Sequence, residues 1–301
     1  MKRKNHRFFF AGRCERYIEE INTNKRGEEM EIIVCLKQVP DTTNVEVDEK
    51  TGVLKREGTR TKMNPFDLYA LEWGLRLKEQ VGGRVRVLSM GPSQAVAVLK
   101  EAMSMGADEG YLLSDRAFAG ADVLATSYTL AQGIKKMGSY DVILCGKQTT
   151  DGDTAQVGPA VAEWLKIPHI SQVRDIVPMN DCFRVEADYG EFIQICEIQM
   201  PCLLTIEKDS CVPRLPSYLL RKASQNREVT YWNLSDLLPK KNEKAFFGLD
   251  GSATQVERIF PPPKKEEQKI FRGTSTEISL EFAQQLQRLK FIEIDEGFTH
   301  E

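Results

Sequence analysis

Cys145-Gly146-Lys147-Gln148-Thr149-Thr150-Asp151-Gly152-Asp153-Thr154-Ala155-Gln156-Val157-Gly158-Pro159 joins two runs of opposite character. Before it, Asp141-Val142-Ile143-Leu144 reads as a buried strand; after it, Val161-Ala162-Glu163-Trp164-Leu165 reads as a helix. The order is strand, long polar loop, helix N-terminus. At such a junction unpaired backbone N–H groups and the positive end of the helix dipole meet, a setting that favours a phosphate. The Thr154 hydroxyl and the Gln156 amide add neutral donors. A carboxylate facing a phosphate is repelled. Asp151 and Asp153 are therefore assigned to capping the helix or to bonding backbone N–H groups. Neither GxGxxG nor GxxxxGK[ST] is present. The spacing alone leaves two readings open, a nucleotide loop or a polar connection with ordinary capping.

Towards the N-terminus, strands and helices alternate. Glu31-Ile-Ile-Val-Cys-Leu36 is a compact buried strand, ended by Lys37-Gln38-Val39-Pro40-Asp41. Val45–Asp48 and Gly52–Lys55 predict a small hairpin around Asp48 to Gly52. Asn64-Pro65-Phe66-Asp67 opens a helix running to about Glu79. Asn64 suits the N-cap, Pro65 the first helical position, and Asp67 complements the dipole. Gly82-Gly83 stops that helix. Arg84–Met90 alternates as a strand and halts at Gly91-Pro92, a helix follows from Ser93 to Met105, and Gly110–Leu113 is the next strand. Asp122 to Met137 is a third helix. Four such alternations predict an α/β protein with a parallel sheet, helices on both faces and right-handed crossovers. Cys35, Met90 and Cys145 each end a strand at its carboxyl side, where open α/β sheets bind ligands. Their soft, uncharged side chains suit an adenine or ribose face, although Met90 also fits a plain core position and Asn64 a plain helix cap.

Beyond Pro168 the character changes. Cys182–Ala187, Phe192–Gln199 and Cys202–Glu207 read as consecutive strands, with Tyr189-Gly190 as a turn. They predict an antiparallel β extension of the same sheet. Pro213-Arg214-Leu215-Pro216-Ser217-Tyr218 is an exposed, proline-bounded loop leading into Leu219-Leu220-Arg221-Lys222. From 226 to 301 the chain reads as a linker and a C-terminal partner-docking arm, with Pro261-Pro262-Pro263 and Lys264-Lys265-Glu266-Glu267 in the linker. The arm ends in an amphipathic helix, Ser279 to Leu289, which docks either on another chain or on its own domain. Residues 1–29 are polar and aperiodic. Phe8-Phe9-Phe10 is too short for a signal-peptide core, and Glu19, Glu20, Glu28 and Glu29 do not suit a transit peptide. Met30 stands directly before the first strand, so 1–29 reads as a disordered leader or a start-site artefact, and 30–225 as the nucleotide-binding domain.

At 301 residues, 41% hydrophobic and 28% charged, the chain can bury the core of one large domain with appendages. A net charge of −3 argues against a nucleic-acid partner. No run approaches the ~18 apolar residues of a membrane span, so no membrane insertion is expected. Seven scattered cysteines, none in a CxxC pair, predict reduced thiols in a cytoplasmic protein and argue against zinc or iron–sulfur ligation. His6, His169 and His300 are far apart in sequence, so no histidine-based catalytic cluster is expected, and no catalytic side chain is assigned.

Four segments, in order over residues 30–225, carry a resemblance. They are Val34-Cys35-Leu36-Lys37-Gln38-Val39-Pro40-Asp41; Met63-Asn64-Pro65-Phe66-Asp67 with Ala70-Leu71-Glu72; Gly146-Lys147-Gln148 with Asp151 to Pro159; and Tyr189-Gly190-Glu191 through Met200-Pro201 to Pro213-Arg214-Leu215-Pro216-Ser217. Together they resemble the β subunit of the electron transfer flavoproteins, including its FixA branch. The resemblance implies a Rossmann-like domain paired with a larger α subunit that holds the electron-transferring FAD. It further implies a second nucleotide in this chain: a structural AMP in respiratory members, or in bifurcating members a second FAD that accepts hydride from NADH. The implied binding positions are Cys35, Asn64, Pro65, Phe66, Asp67, Met90, Gly146, Lys147, Gln148, Thr149, Thr150, Asp151, Gly152, Asp153, Thr154, Ala155, Gln156 and Val157. Cys35 and Met90 stand where family members vary, which shifts the expected contact to their backbone.

The loop pattern looks like the bifurcating type, in which Gly152 lets the backbone approach a pyrophosphate and Thr154 hydrogen-bonds it. The implied electron route runs from NADH to the FAD held here, then to ferredoxin or flavodoxin and, through the α-subunit FAD, to an acyl-CoA dehydrogenase. The loop around Arg214, Leu215 and Pro216 is implied to grip that dehydrogenase. Two alternatives remain, an AMP-carrying β subunit without bifurcation and a non-redox ATP-binding module of the same plan.

Overall fold

The computed structural model describes residues 29–41, 60–237, 245–257 and 270–292. The hairpin expected around Asp48 to Gly52, residues 1–28 of the expected leader, and Pro261-Pro262-Pro263 lie outside the described residues. The chain divides into two compact units, Met1–Glu257 and Arg258–Glu301. Among the described residues, no helix is long and apolar enough to cross a membrane.

The first unit is built on a nine-stranded sheet. In chain order its elements are β1 (Glu31–Cys35), β2 (Gln38–Pro40), β3 (Thr61–Met63), α1 (Pro65–Val81), β4 (Arg84–Met90), α2 (Val96–Met105), β5 (Glu109–Leu113), α3 (Val123–Met137), β6 (Val142–Gly146), α4 (Val157–Leu165), β7 (His169–Pro178), β8 (Cys182–Asp188), β9 (Ile193–Gln199), β10 (Cys202–Ile206), α5 (Tyr218–Gln225), β11 (Val229–Trp232) and α6 (Leu234–Leu237). The sheet order is β11-β5-β4-β1-β6-β10-β7-β8-β9, with β2 and β3 forming a separate antiparallel ribbon. Strands from β11 to β7 pair in parallel, and β8 and β9 add an antiparallel edge.

A parallel strand covered on both faces must be apolar on both, and β1 shows why the layers form. Ile32 and Val34 pack with Leu71 and Leu75 of α1 and Leu99 of α2. Ile33 and Cys35 pack on the opposite side with Tyr128 and Ile134 of α3 and Val161 of α4. The predicted α/β sandwich is therefore present, with two cores, one on each side of the sheet.

Several elements differ from their sequence expectation. The strand β7 was not anticipated, because Gln172, Arg174 and Asp175 interrupt its apolar pattern. The segment expected as the last strand of the extension, β10, instead runs parallel between β6 and β7. All five of its residues are buried, which is why it reads as an unbroken apolar run. Residues 229–232, within the stretch read as linker, form β11 on the far edge. Trp232 lies against Tyr111 there, with ring centroids 4.9 Å apart. Farther on, Phe247 packs against Phe118 and Tyr128.

The helix expected from Ser93 starts as a 3-10 turn, Ser93–Ala95, before α2. In the second unit, a helix α7 (Ser275–Arg288) begins four residues before the expected Ser279. Thr274 and Glu277 form a reciprocal capping box that fixes the start.

Candidate nucleotide site

The site follows from the strand order. The chain steps from β1 through α1 to β4 and through α2 to β5, then returns through α3 to β6 on the other side of β1. Connections therefore diverge between β1 and β6, and the crevice at their carboxyl ends is the topological switch point where such sheets take ligands. Cys35 and Cys145 are register partners at that crevice. Three segments meet there: residues 36–41 after β1, the start of α1, and the loop 147–156 after β6.

Asn64 stands at the N-cap position of α1, but its side chain makes no capping bond. Its buried amide is a clasp instead. Nδ2 donates to Asp67 Oδ1 at 2.8 Å and to the Gln148 carbonyl at 2.9 Å, and Oδ1 accepts the Thr150 N–H at 3.2 Å. Asp67 also accepts the Lys37 N–H on Oδ2 at 2.7 Å. Burial pushes the Asp67 carboxyl up to about 7, against the pull of Asn64 and of the Lys37 N–H and ammonium. It ties β1, α1 and β6 together from the first turn of α1, with burial working against its negative charge.

Pro65 and Phe66 form the first turn of α1, which lies directly on Gly146. A Cβ there would sit 2.4 Å from Asp67 Oδ1 and 2.7 Å from the Phe66 carbonyl carbon. Only glycine lets the helix start approach the end of β6 this closely.

Lys37 is the residue that sequence reasoning left out of the site. Its Nζ pairs with Asp151 Oδ1 at 2.7 Å, across 114 residues of sequence. Its available signal was position, the first residue after Leu36 at the carboxyl end of a buried strand. Partial desolvation alone would raise the Asp151 pKa, but Lys37 holds it below the usual carboxylate range. Asp153 accepts the Gln148 side-chain amide and sits at φ 52°; Ala155 is at φ 54°.

Neither aspartate caps α4, the first of the two roles expected for them. The N-cap is Gln156, with no side-chain capping bond. The reason is that α4 begins at Val157, before the predicted Val161, while Lys37 and Gln148 hold the two carboxylates back in the loop.

Thr149 accepts the Gly152 N–H on Oγ1 at 3.4 Å. Gly152, Thr154, Ala155 and Gln156 form the exposed outer part of the loop. Lys147 turns towards β10, its N–H donating to the Ile206 carbonyl at 2.9 Å and its ammonium pairing with Glu207 at 2.8 Å. The Cys145 thiol is pushed up by its hydrogen bond with Cys35, by burial and by nearby Asp67. Met90 ends β4 half-buried, packed on the cluster that includes Leu113 and Phe118. The structure thus brings Cys35, Asn64, Phe66, Asp67, Gly146, Gln148 and Thr150 into one connected group, with Lys37 and Asp151 added. It leaves Met90 at the end of the neighbouring strand and Thr154 to Gln156 on the outer turn.

A second constellation lies farther along α1. Glu72, 3% exposed, accepts Arg76 Nε at 2.8 Å. Its Oε2 also accepts Arg214 Nε at 2.9 Å and the Arg214 N–H at 3.0 Å. Arg214 Nη2 reaches Glu79 Oε2 at 3.1 Å. Burial works to raise the Glu72 pKa, and the two arginines hold it below the ordinary value. Tyr69 and Trp73 of the same helix donate to Asp209 and Ser210 at 2.8 and 3.1 Å. The loop that follows carries Val212 (82% exposed) and Leu215 (87%), with Tyr218 (78%) and Leu219 (76%) at the start of α5.

Residues 51–237 match the family profile described as the electron transfer flavoprotein domain. The chain is similar to a protein named electron transfer flavoprotein subunit beta of Thermoanaerobacterium thermosaccharolyticum, 46% identical over 82% of this chain and 94% of the relative. It is similar to the caffeyl-CoA reductase-Etf complex subunit CarD of Acetobacterium woodii, 45% identical over 82% and 93%. It is also similar to protein FixA of Azorhizobium caulinodans, 38% identical over 79% and 86%.

Proposed function

The chain belongs to the electron transfer flavoprotein family as a beta subunit, which implies an alpha-subunit partner, and from that premise we propose that it is the nucleotide-holding half of an electron-bifurcating complex. In this reading the site takes hydride from NADH on a bound FAD. Electrons pass to ferredoxin or flavodoxin and, through the alpha-subunit FAD, to an acyl-CoA dehydrogenase. The complex works in the cytoplasm.

The observation that carries the reading is the start of α4 at the β1/β6 crevice, free of a side-chain cap. Uncapped first-turn N–H groups and the helix dipole suit a pyrophosphate. The donor set fits that group. Thr154 adds a hydroxyl, Lys37 adds a cation, and Gly152 presents bare backbone, with only Thr149 and Lys37 within 4 Å of where a Cβ would stand. The two loop carboxylates are already engaged by Lys37 and by Gln148, which lessens their repulsion of an anion.

A flavin, when bound, supplies the redox chemistry, and the protein supplies binding, orientation and electrostatics. The chain's own residues divide that work. Gly146 admits the start of α1 to the floor of the crevice. Asn64 and Asp67 fix the loop to β1, and the ends of β1, β4 and β6 offer Cys35, Met90 and Cys145 as an apolar bed. The loop around Leu215 meets the dehydrogenase; the name of the Acetobacterium relative, which pairs an Etf subunit with a CoA-thioester reductase, supports a partner of that class.

The deciding experiment is the nucleotide content of the complex co-expressed with its alpha subunit, released by denaturation and separated by chromatography. Two FAD per heterodimer without AMP is the expected result, followed by NADH-dependent ferredoxin reduction. One FAD and one AMP would reduce this chain to a structural and docking subunit. ATP without flavin would overturn the reading.

A further inference from the structure

We propose that Arg214 is a positioning residue: locked onto Glu72 and Glu79 of α1, it holds Val212 and Leu215 outward as a preformed apolar knob and does not itself touch the dehydrogenase. The inference rests on the docking role given to this loop above and assigns a task to its one arginine.

Four of the side chain's five N–H donors are already used. Nε and the backbone N–H both bond Glu72 Oε2, Nη2 bonds Glu79 Oε2 and approaches Glu72 Oε1 at 3.3 Å, and Nη1 pairs with Glu79 Oε1. A planar guanidinium engaged on both edges is a rigid clamp rather than a free contact. Its acceptor is fixed in turn. Glu72 is buried on a 17-residue helix and braced from the other side by Arg76. Releasing Arg214 would leave one Glu72 oxygen buried without its partner, which penalises every loop conformation except the clamped one.

Two further ties, Tyr69 to Asp209 and Trp73 to Ser210, hold the chain immediately before the loop. The Ser217 N–H donates to the Ser104 carbonyl at 3.0 Å and closes the other end. Between these anchors, Val212 and Leu215 are the most exposed large apolar side chains, followed by exposed Pro216. An apolar side chain held in one conformation costs less ordering entropy on docking than one on a free loop.

The test uses the full alpha–beta complex with three variants, Arg214→Met, Arg214→Lys and Leu215→Asp. Amide hydrogen exchange over residues 211–217 is measured without any dehydrogenase. Electron transfer is then measured with a bacterial butyryl-CoA dehydrogenase as the varied component. Arg214→Met is expected to speed exchange about tenfold, the loss of bonds to a charged acceptor. It should raise KM for the dehydrogenase about fivefold while kcat stays within about twofold. Arg214→Lys, which keeps the charge and loses the fork, should fall between. Leu215→Asp should raise KM with exchange unchanged.

Exchange within about twofold of the native complex in Arg214→Met, or a fall in kcat at constant KM, would overturn the clamp. An unchanged KM in Leu215→Asp would instead refute the docking role, and the exchange data would still judge the clamp. Should Arg214→Met fail to fold, Glu79→Gln removes only the outer pair. A rise in exchange supports the clamp there, and none overturns it.

Discussion

Gly146→Ala adds one carbon where there is no room for it. The new Cβ would lie 2.4 Å from Asp67 Oδ1, 2.7 Å from the Phe66 carbonyl carbon and 2.8 Å from Phe66 Cβ. Gly146 is absent from the positive-φ positions, so the effect is purely one of space. Relief to van der Waals contact requires the first turn of α1 to retreat by about 1 Å. That retreat carries Asp67 away from the Lys37 N–H, now at 2.7 Å, and Asn64 away from the Gln148 carbonyl, now at 2.9 Å. Both separations would pass beyond hydrogen-bond range. Overpacking against backbone costs about 2 kcal/mol and two weakened bonds about 1 kcal/mol each, giving about 3–4 kcal/mol. Urea denaturation of the co-expressed complex reads the stability, and nucleotide content reads the site. The expected result is a loss of that size together with depleted nucleotide. A loss under about 1 kcal/mol with full nucleotide content would show that α1 does not rest on β6 as described.

Asp67 sets a pH dependence. Its carboxyl is raised from 3.8 to about 7 in the folded chain, so its stabilising contribution is complete below the unfolded value and is lost as pH rises through about 7. Melting temperatures from pH 5.5 to 8.5 should therefore fall in the native complex relative to Asp67→Asn, and parallel profiles would refute the shift. Asn64→Leu strands the Gln148 carbonyl and the Thr150 N–H, and should cost about 2–4 kcal/mol in denaturation while speeding proteolytic nicking between residues 147 and 156. Lys37→Met frees the Asp151 carboxylate beside the crevice. It should weaken nucleotide retention about tenfold at low salt with under about 1 kcal/mol lost in stability. Adding Asp151→Asn should restore most of that retention, and a strictly additive double variant would separate Lys37 from the site.

Much of the sheet was legible because parallel strands write themselves as apolar runs. β1, β4, β5 and β6, and the helices between them, stand close to their expected limits. β7 was hidden because Gln172, Arg174 and Asp175 break its pattern, and the place of β10 was hidden because strand order is a long-range property. Thr230-Tyr231-Trp232 was a β-prone cluster lost in a polar stretch.

The position of the site was readable from the strand ends, but its internal wiring was not. Asn64 meets Gln148 and Thr150 across 84 and 86 residues, and Lys37 meets Asp151 across 114. Local rules offered Asp151 and Asp153 the nearest helix cap or nearby backbone N–H groups, because such rules weigh only local partners. The structure sends Asp151 to distant Lys37 and Asp153 to the side-chain amide of Gln148 within the same loop.

The placing of β10 between β6 and β7 governs the order in which a growing chain can assemble. When Gly146 leaves the ribosome, β6 can join β1 at once, but its other edge stays an open template through the next fifty-odd residues. Only when Ile206 emerges is that edge covered, and only then do β7, β8 and β9 gain a connection to the rest of the sheet. The crevice loop is thus made in the first half of the molecule and sealed by a strand from the second. A chain ending before Cys202 would hold every residue assigned to the nucleotide and still present a bare strand edge beside it.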